Sequence, residues 1–312
     1  MMNITGVDYL VFGAEDLAAT EQFARDFGLE ERGGPAIGKA FVALDGTGII
    51  VADKNDPALP PALESGNQLR KIIWGVKTQA DLDSVAKEIG KDREVRQLED
   101  GSVEAVDDMG LVIAFQLTVR QELDLPGEAV NVPGSFNRKP NQLGVDVNAK
   151  PKPRSLGHFA CFVPDSAKQE DLYVKRLGFR VSDRMTGGGA FLRAPGTMEH
   201  HSVFFIKTPP QMKGIEHVAF HFGGPQEVFM GGKLFQEKGY ESFWGPGRHI
   251  PGSNWFWYFS SPLGCRFEFD ADIDLLDENW VPREMPVAAE STQIFLLKNE
   301  QELWAPFGKP KN

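Results

Sequence analysis

The chain has 312 residues, 41% of them hydrophobic and 25% charged; this balance excludes a disordered or collagen-like protein and allows about two domains at roughly 150 residues each. A net charge of −11 repels polyanions, which excludes nucleic acid and anionic membrane surfaces as partners. The two cysteines, Cys161 and Cys265, make neither a disulfide framework nor a CxxC zinc pattern, no window approaches the roughly 20 apolar residues of a membrane span, and MMNITGVDYLVFGAED lacks the basic start of a signal peptide, so a cytoplasmic protein is expected.

ITGVDYLVFG (4–13) predicts a strand. Asp16 opens a helix, LAATEQFARDFG, whose Leu17, Phe23 and Phe27 recur at near-helical spacing until Gly28 stops it. Strands follow at KAFVALDG and GIIVAD. A second unit begins with the strand LRKIIWGVK, continues through a helix, ADLDSVAKEIG, capped by Thr78 and Asp81, and ends in strands near VEAVDD and GLVIAFQLTV. Residues 121–153, rich in Pro, Asn and Gly, break the rhythm and predict a linker. The third unit has the strand SLGHFACFVPD, the helix SAKQEDLYVKRLGF capped by Ser166 and ended by Gly178, and the strands AFLRAPG and HHSVFFIK. The fourth has GIEHVAFHF, the helix QEVFMGGKLFQEKG, then ESFWG, NWFWYFSS and CRFEFD. Residues 272–312 predict a tail packed through Trp280, Phe295, Leu296 and Trp304.

A repeat of about 60–70 residues is too long for a solenoid and indicates a duplicated small module. The expected fold is α+β. Two domains, 1–120 and 154–271, each pair two modules of one helix and a curved sheet into an open barrel around a cavity.

All six histidines lie between 158 and 249, which assigns any histidine chemistry to the second domain. His158 is in phase with Ala160 and Phe162 and faces the interior, as a structural group or a ligand. His217 and His221 share a face of one strand but stand about 13 Å apart, so they cannot bind one metal. His217 occupies the position that His158 holds in the preceding unit, and His221 is expected to pack or hydrogen-bond. His200 and His201 face opposite sides, and periodicity does not choose between them. Glu268, in RFEFD, alternates with Phe267 and Phe269. It either pairs with Arg266 or Arg248 or serves as a ligand. Two imidazoles and one carboxylate form the facial triad of non-haem Fe(II) sites, a set that also suits Zn(II), Mn(II) or Ni(II). Trp255, Phe256 and Trp257, with Phe191, read equally as a flat pocket wall or as barrel core.

LGH at 156–158, EHHSVFF at 199–205, IEHVAF at 215–220, GRH at 247–249, Tyr258 and SPLGCRFEF at 261–269 stand in one order. In that order and spacing the chain resembles the type I extradiol ring-cleavage dioxygenases of the vicinal oxygen chelate superfamily. The resemblance implies two domains of paired βαβββ modules and Fe(II), with Mn(II) as the known variant, on His158, His217 and Glu268. It implies His201 as the acid–base histidine, and His249 and Tyr258 as contacts to substrate hydroxyls. O2 would be the co-substrate, a small aromatic diol the substrate, and a homo-oligomer the working form. The same alignment sets Asp8, Ile72 or a neighbour, and Gln116 where the second domain has its triad, so no metal is expected in the first. A glyoxalase- or epimerase-type isomerase would be shorter, with ligands drawn from both modules and no need of His201, His249 and Tyr258 together. A metal-free binding protein would lack the triad.

Overall fold

The computed structural model describes residues 2–33 and 37–297. Its strands form two large sheets. The first contains β1 (Ile4–Ala14), β2 (Glu30–Arg32), β3 (Lys39–Val42), β4 (Gly48–Asp53), β5 (Leu69–Val76), β6 (Arg96–Gln97), β7 (Val103–Val106) and β8 (Val112–Leu117), in the order β2-β3-β4-β1-β5-β8-β7-β6. β1 runs parallel to β4 and β5 parallel to β8, and β1 meets β5 antiparallel, so two like modules join at their first strands.

A short hairpin, β9 (Asn131–Val132) and β10 (Ser135–Phe136), interrupts the run. The second sheet repeats the plan with β11 (Ser155–Val163), β12 (Arg180–Thr186), β13 (Gly189–Arg193), β14 (Val203–Lys207), β15 (Gly214–His221), β16 (Ser242–His249), β17 (Trp255–Ser260) and β18 (Arg266–Ala271). Two tail strands, β19 (Arg283–Pro286) and β20 (Gln293–Leu296), extend its edges, giving β19-β12-β13-β14-β11-β15-β18-β17-β16-β20. The mixed α+β architecture of sequence-repeated modules is as expected.

Each module carries one helix: α1 (Leu17–Phe27), α2 (Gln79–Ile89), α3 (Ser166–Asp171) and α4 (Pro225–Glu237). Asp16 accepts from Ala19 N, and Gly28 closes α1 with φ 103°, a left-handed value glycine adopts without steric cost. Thr78 and Asp81 form a reciprocal capping box on α2. The third helix departs from expectation. Asp165, not Ser166, is its cap, accepting from Lys168 N at 3.0 Å, and α3 passes into a π-helical turn over Leu172–Arg176.

The helices seal one face of the sheets. Phe27 on α1 packs against Phe220 and Phe269, and Phe23 meets Phe235 and Phe267, so the first module docks on the fourth. Trp74 on β5 packs against Phe159, Tyr173 and Phe179, so the second module docks on the third. Strand alternation sends Phe267 and Phe269 into this core and leaves Glu268 and Asp270 for the opposite face.

Across the same seam lies Asp107, whose carboxylate accepts from Met109 N and Leu111 N at 2.9 Å and from Gln169 Nε2 at 2.7 Å. Burial pushes its pKa up to about 6. The folded state therefore holds a proton between about pH 4 and 6 that the unfolded chain has released, and stability falls as pH rises through that window. Asp107→Asn should be more stable than the wild type at pH 7 by up to about 3 kcal/mol. Gln169 Oε1, which lacks a partner, can turn to accept from the new amide. Urea denaturation at pH 4 and pH 7 checks this, with the gap closing at the lower pH.

The 121–150 segment is exposed almost throughout, and Phe136, Leu143 and Val147 stand in solvent. The tail is built in through its strands and through Trp280, whose indole donates to Ser182 O at 2.7 Å. Phe295 and Leu296 are partly exposed, and Trp304 lies outside the described residues. No helix among the described residues is long and apolar enough to cross a membrane.

Candidate metal centre and its pocket

His158 lies on β11, His217 on β15 and Glu268 on β18, the strands at the middle of the second sheet. His158 pairs across to Ala219, which pairs in turn with Glu268, and His217 pairs across to Ala160. The two alanines leave room between the strands, and the three larger side chains close over them. Glu268 Oε2 is 3.3 Å from His158 Nε2 and 3.6 Å from His217 Nε2. One atom from each residue lies within 4.8 Å of the others. Ligands bound at about 2.1 Å on one cation stand no more than about 4.2 Å apart, so the group fits a single ion with little movement. His217 Nε2 and Glu268 Oε2 are buried without a hydrogen-bond partner. A buried carboxylate oxygen and an imidazole lone pair left bare together are costly, and a cation satisfies both.

Burial alone would raise the Glu268 carboxyl, but the imidazoles of His158, His249 and His217 hold it well below its ordinary value. Neither sequence-level ion pair forms: Arg266 pairs with Glu216 and Arg248 with Asp272. Each candidate histidine ligand has a carboxylate behind it. His217 Nδ1 bonds Glu216, and His158 Nδ1 faces Asp270 Oδ2 at 3.4 Å. Such partners fix the ring orientation of metal-ligating histidines. His221 does pair rather than ligate, with Asp270 at 3.2 Å and Glu199 at 3.4 Å. Gly157 makes its space, since a Cβ there would strike the His221 ring.

A cavity of about 260 Å³ opens over the triad. Its wall is Phe191, Phe204, Ile206, Phe243 and Trp244, with His201, His249, Asn254 and Tyr258 among its polar groups. Phe191 and Phe204 stack at 3.9 Å between centroids. Of the predicted aromatics only Phe191 lines it. Phe256 is fully buried, Trp257 packs where a Cβ of Gly232 would stand, and Trp255 meets Phe229 and Phe295. The run 255–257 therefore divides: Trp257 joins the core, Trp255 is half-buried at the edge, and Phe256 backs the cavity, its ring stacked on that of His249 at 3.8 Å.

The paired histidines take different places. His201 lines the cavity, its ring 4.0 Å from that of His158, while His200 is turned away and bonds Asp183. His249 Nδ1 donates to Thr292 O at 2.8 Å, which leaves its Nε2 to accept from Tyr258 Oη at 3.1 Å. Tyr258 stands directly opposite Glu268 on β17. Asn254, which sequence reasoning missed, donates to Glu268 Oε1 at 3.4 Å. Glu216 and Asp270 were also missed, although adjacency to His217 and the period of two from Glu268 could have found them. Nothing local marks Asn254, Trp244 or Thr292.

In the first sheet Gln116 lies beside Gly75 as Glu268 lies beside Ala219, which makes Ile73 the counterpart of His217. Asp8 and Gln116 do meet there, at 3.0 Å, and Thr118 Oγ1 and Val119 N also donate to Asp8. This carboxylate is engaged by hydrogen bonds on both oxygens.

Residues 155–269 match the family model described as Glyoxalase/Bleomycin resistance protein/Dioxygenase superfamily. This part of the chain is similar to that superfamily. Metapyrocatechase 2 of Cupriavidus necator is 37% identical over 124 residues, which span 40% of this chain and 38% of that protein. The whole chain shares its fold with solved structures. The Mn(II)-bound glyoxalase from Novosphingobium aromaticivorans superposes with a TM-score of 0.73 at 20% identity, covering 99% of this chain and 97% of that one. The 2,2',3-trihydroxybiphenyl 1,2-dioxygenase from Sphingomonas wittichii superposes with a TM-score of 0.70 at 19% identity, covering 94% and 98%.

Proposed function

We propose that this protein is an extradiol ring-cleavage dioxygenase that opens a catechol-type diol with O2, at Fe(II), with Mn(II) as the alternative, held by His158, His217 and Glu268. The observation that carries the reading is the convergence of these three side chains beneath a cavity that also holds His201, His249 and Tyr258. The partial likeness to a metapyrocatechase supports it.

When bound, such a metal supplies Lewis acidity toward the diol and the redox chemistry that O2 requires. The chain supplies the rest. Burial, with the His158 and His200 rings beside it, holds the His201 pKa well below its ordinary value, so it rests neutral and able to take a proton from an incoming hydroxyl. The same proton can return to oxygen as the ring opens. Tyr258 Oη and His249 Nε2 are hydrogen-bonded to each other at the cavity wall, and either can turn to a substrate oxygen and so set the ring's orientation. Burial, with Glu268 and Glu216 nearby, raises the Tyr258 phenol well above its ordinary value, so it stays a donor.

The wall also defines the ring. Arg266, which lines the cavity, is tied to Glu216 and lies 3.7 Å from the Phe243 ring centroid, so among the described residues no free Lys or Arg faces the substrate. Catechols with an uncharged apolar substituent should therefore be favoured over carboxylated ones, by roughly tenfold or more in kcat/KM. A panel of diols followed by oxygen uptake checks this, and preference for a carboxylated ring would contradict it. The decisive experiment for the function is anaerobic loading with Fe(II), then addition of O2 and the panel, with parallel loading by Mn(II). No uptake despite bound metal overturns the dioxygenase reading. Isomerisation of a thiol adduct without uptake would establish the glyoxalase-type alternative.

Two further expectations belong to this reading. The unpaired buried thiols Cys161 and Cys265 support a cytoplasmic site of action. The apolar side chains exposed along 123–147 support a homo-oligomer, and a monomeric mass by light scattering would contradict that.

A further inference from the structure

Behind His201 lies a buried chain of polar groups that the proposed chemistry has not yet used. His200 and Asp183 are both fully buried. His200 Nδ1 is 3.0 Å from His201 Nδ1, and His200 Nε2 is 2.9 Å from Asp183 Oδ2. Arg283 on β19 closes the chain. Its backbone N–H donates to Asp183 Oδ1 at 3.0 Å and its guanidinium to Oδ2 at 2.6 Å. The tail also fixes the backbone, since His200 N donates to Asp274 O at 2.8 Å.

We propose that Asp183 and His200 are positioning residues that hold His201 as its Nδ1–H tautomer, so that a bare Nε2 is its working atom. The proposal rests on the acid–base role given to His201 above. Donor and acceptor counting runs in one direction along the chain. Burial would raise the Asp183 carboxyl, but His200 and Arg283 outweigh it and hold it below its ordinary value, so it is an acceptor only. His200 Nε2 must then carry the hydrogen. With one hydrogen only, His200 keeps a lone pair on Nδ1, and the facing His201 Nδ1 then carries the hydrogen of that bond. The opposite arrangement needs either two acceptors facing each other at 2.9 Å between His200 and Asp183 or a second proton on His200. A proton added at His201 Nε2 leaves every one of these bonds in place, so His201 can take and return it without rearrangement of its support. β19 thus acts on the pocket from the edge of the sheet.

The test uses protein labelled with 15N-histidine, metal-free and loaded with diamagnetic Zn(II), and reads the His201 tautomer from long-range 1H–15N couplings. Wild type should show Nδ1–H with a bare Nε2. His200→Phe removes the acceptor and should lose that preference, with kcat lowered roughly 10²-fold while KM and bound Fe(II) stay as in wild type. His200→Gln offers an amide oxygen in the same place and should restore both tautomer and turnover. An Nε2–H tautomer in the wild type overturns the proposal. So does a His200→Phe variant with unchanged tautomer, or a His200→Gln variant as impaired as His200→Phe. The tautomer is read without turnover, so loss of the dioxygenase reading alone would leave the spectrum as expected, whereas a wrong tautomer would appear whatever the activity.

Discussion

Glu268→Gln is expected to empty the metal centre and abolish oxygen uptake. The side chain is fully buried on β18, and its Oε2 is bare between two imidazoles. Glutamine keeps the size but removes the only anion among the proposed ligands. Loss of a group that merely orients a ligand costs roughly 10–100-fold in metal affinity, and loss of a charged ligand should exceed that. Fold is expected to survive, because a buried carboxylate without its cation is a burden on the folded state. Metal analysis after gel filtration, beside circular dichroism, checks both parts. Iron retained at the wild-type level would remove Glu268 from the ligand set.

His201→Asn is expected to separate binding from chemistry. His201 lies outside the triad but against His158, and it faces the cavity. The variant should keep its iron and lose roughly 10²–10⁴ in kcat, the range for a positioned acid–base group. KM should change little, because the diol would still be held by the metal and by Tyr258 and His249. Steady-state oxygen uptake with measured iron content gives the comparison. Turnover at the wild-type level would remove His201 from the mechanism. The two variants together distinguish a group that holds the centre from one that moves protons beside it.

Much of this was legible in the sequence because it follows from short-range rules. Period-two alternation set Glu268 opposite Phe267 and Phe269, and the aromatic core on α1 and α4 accounts for those phenylalanines. Capping residues and glycines marked α1 and α2. In α3 the cap is one residue earlier than expected, since Asp165 and Ser166 can both accept and only the path of β11 into the helix decides between them. The equivalence of Asp8 and Gln116 to His158 and Glu268 was readable from the module repeat, and the two side chains do meet.

Other features needed the assembled sheet. His200 and His201 are adjacent, so no periodicity could rank them; Asp183 on β12, held by Arg283 on β19, takes His200 into a buried bond and leaves His201 to the cavity. The pocket wall came from Phe204, Phe243 and Trp244 on β14 and β16, rather than from the run 255–257, because β17 presents Trp255 and Trp257 to α4 and the edge and leaves Phe256 behind His249 and Trp244. Asn254 carries no local mark, and its role at Glu268 exists only because the turn before β17 folds back over β18. The sequence by itself determined the modules, the identities of the candidate ligands and the faces on which they lie, since side-chain direction follows from backbone geometry one residue at a time. Which polar group meets which was decided by the tertiary structure, because those pairings join strands far apart in the chain and depend on register and on the space that Ala160, Ala219 and Gly157 leave open.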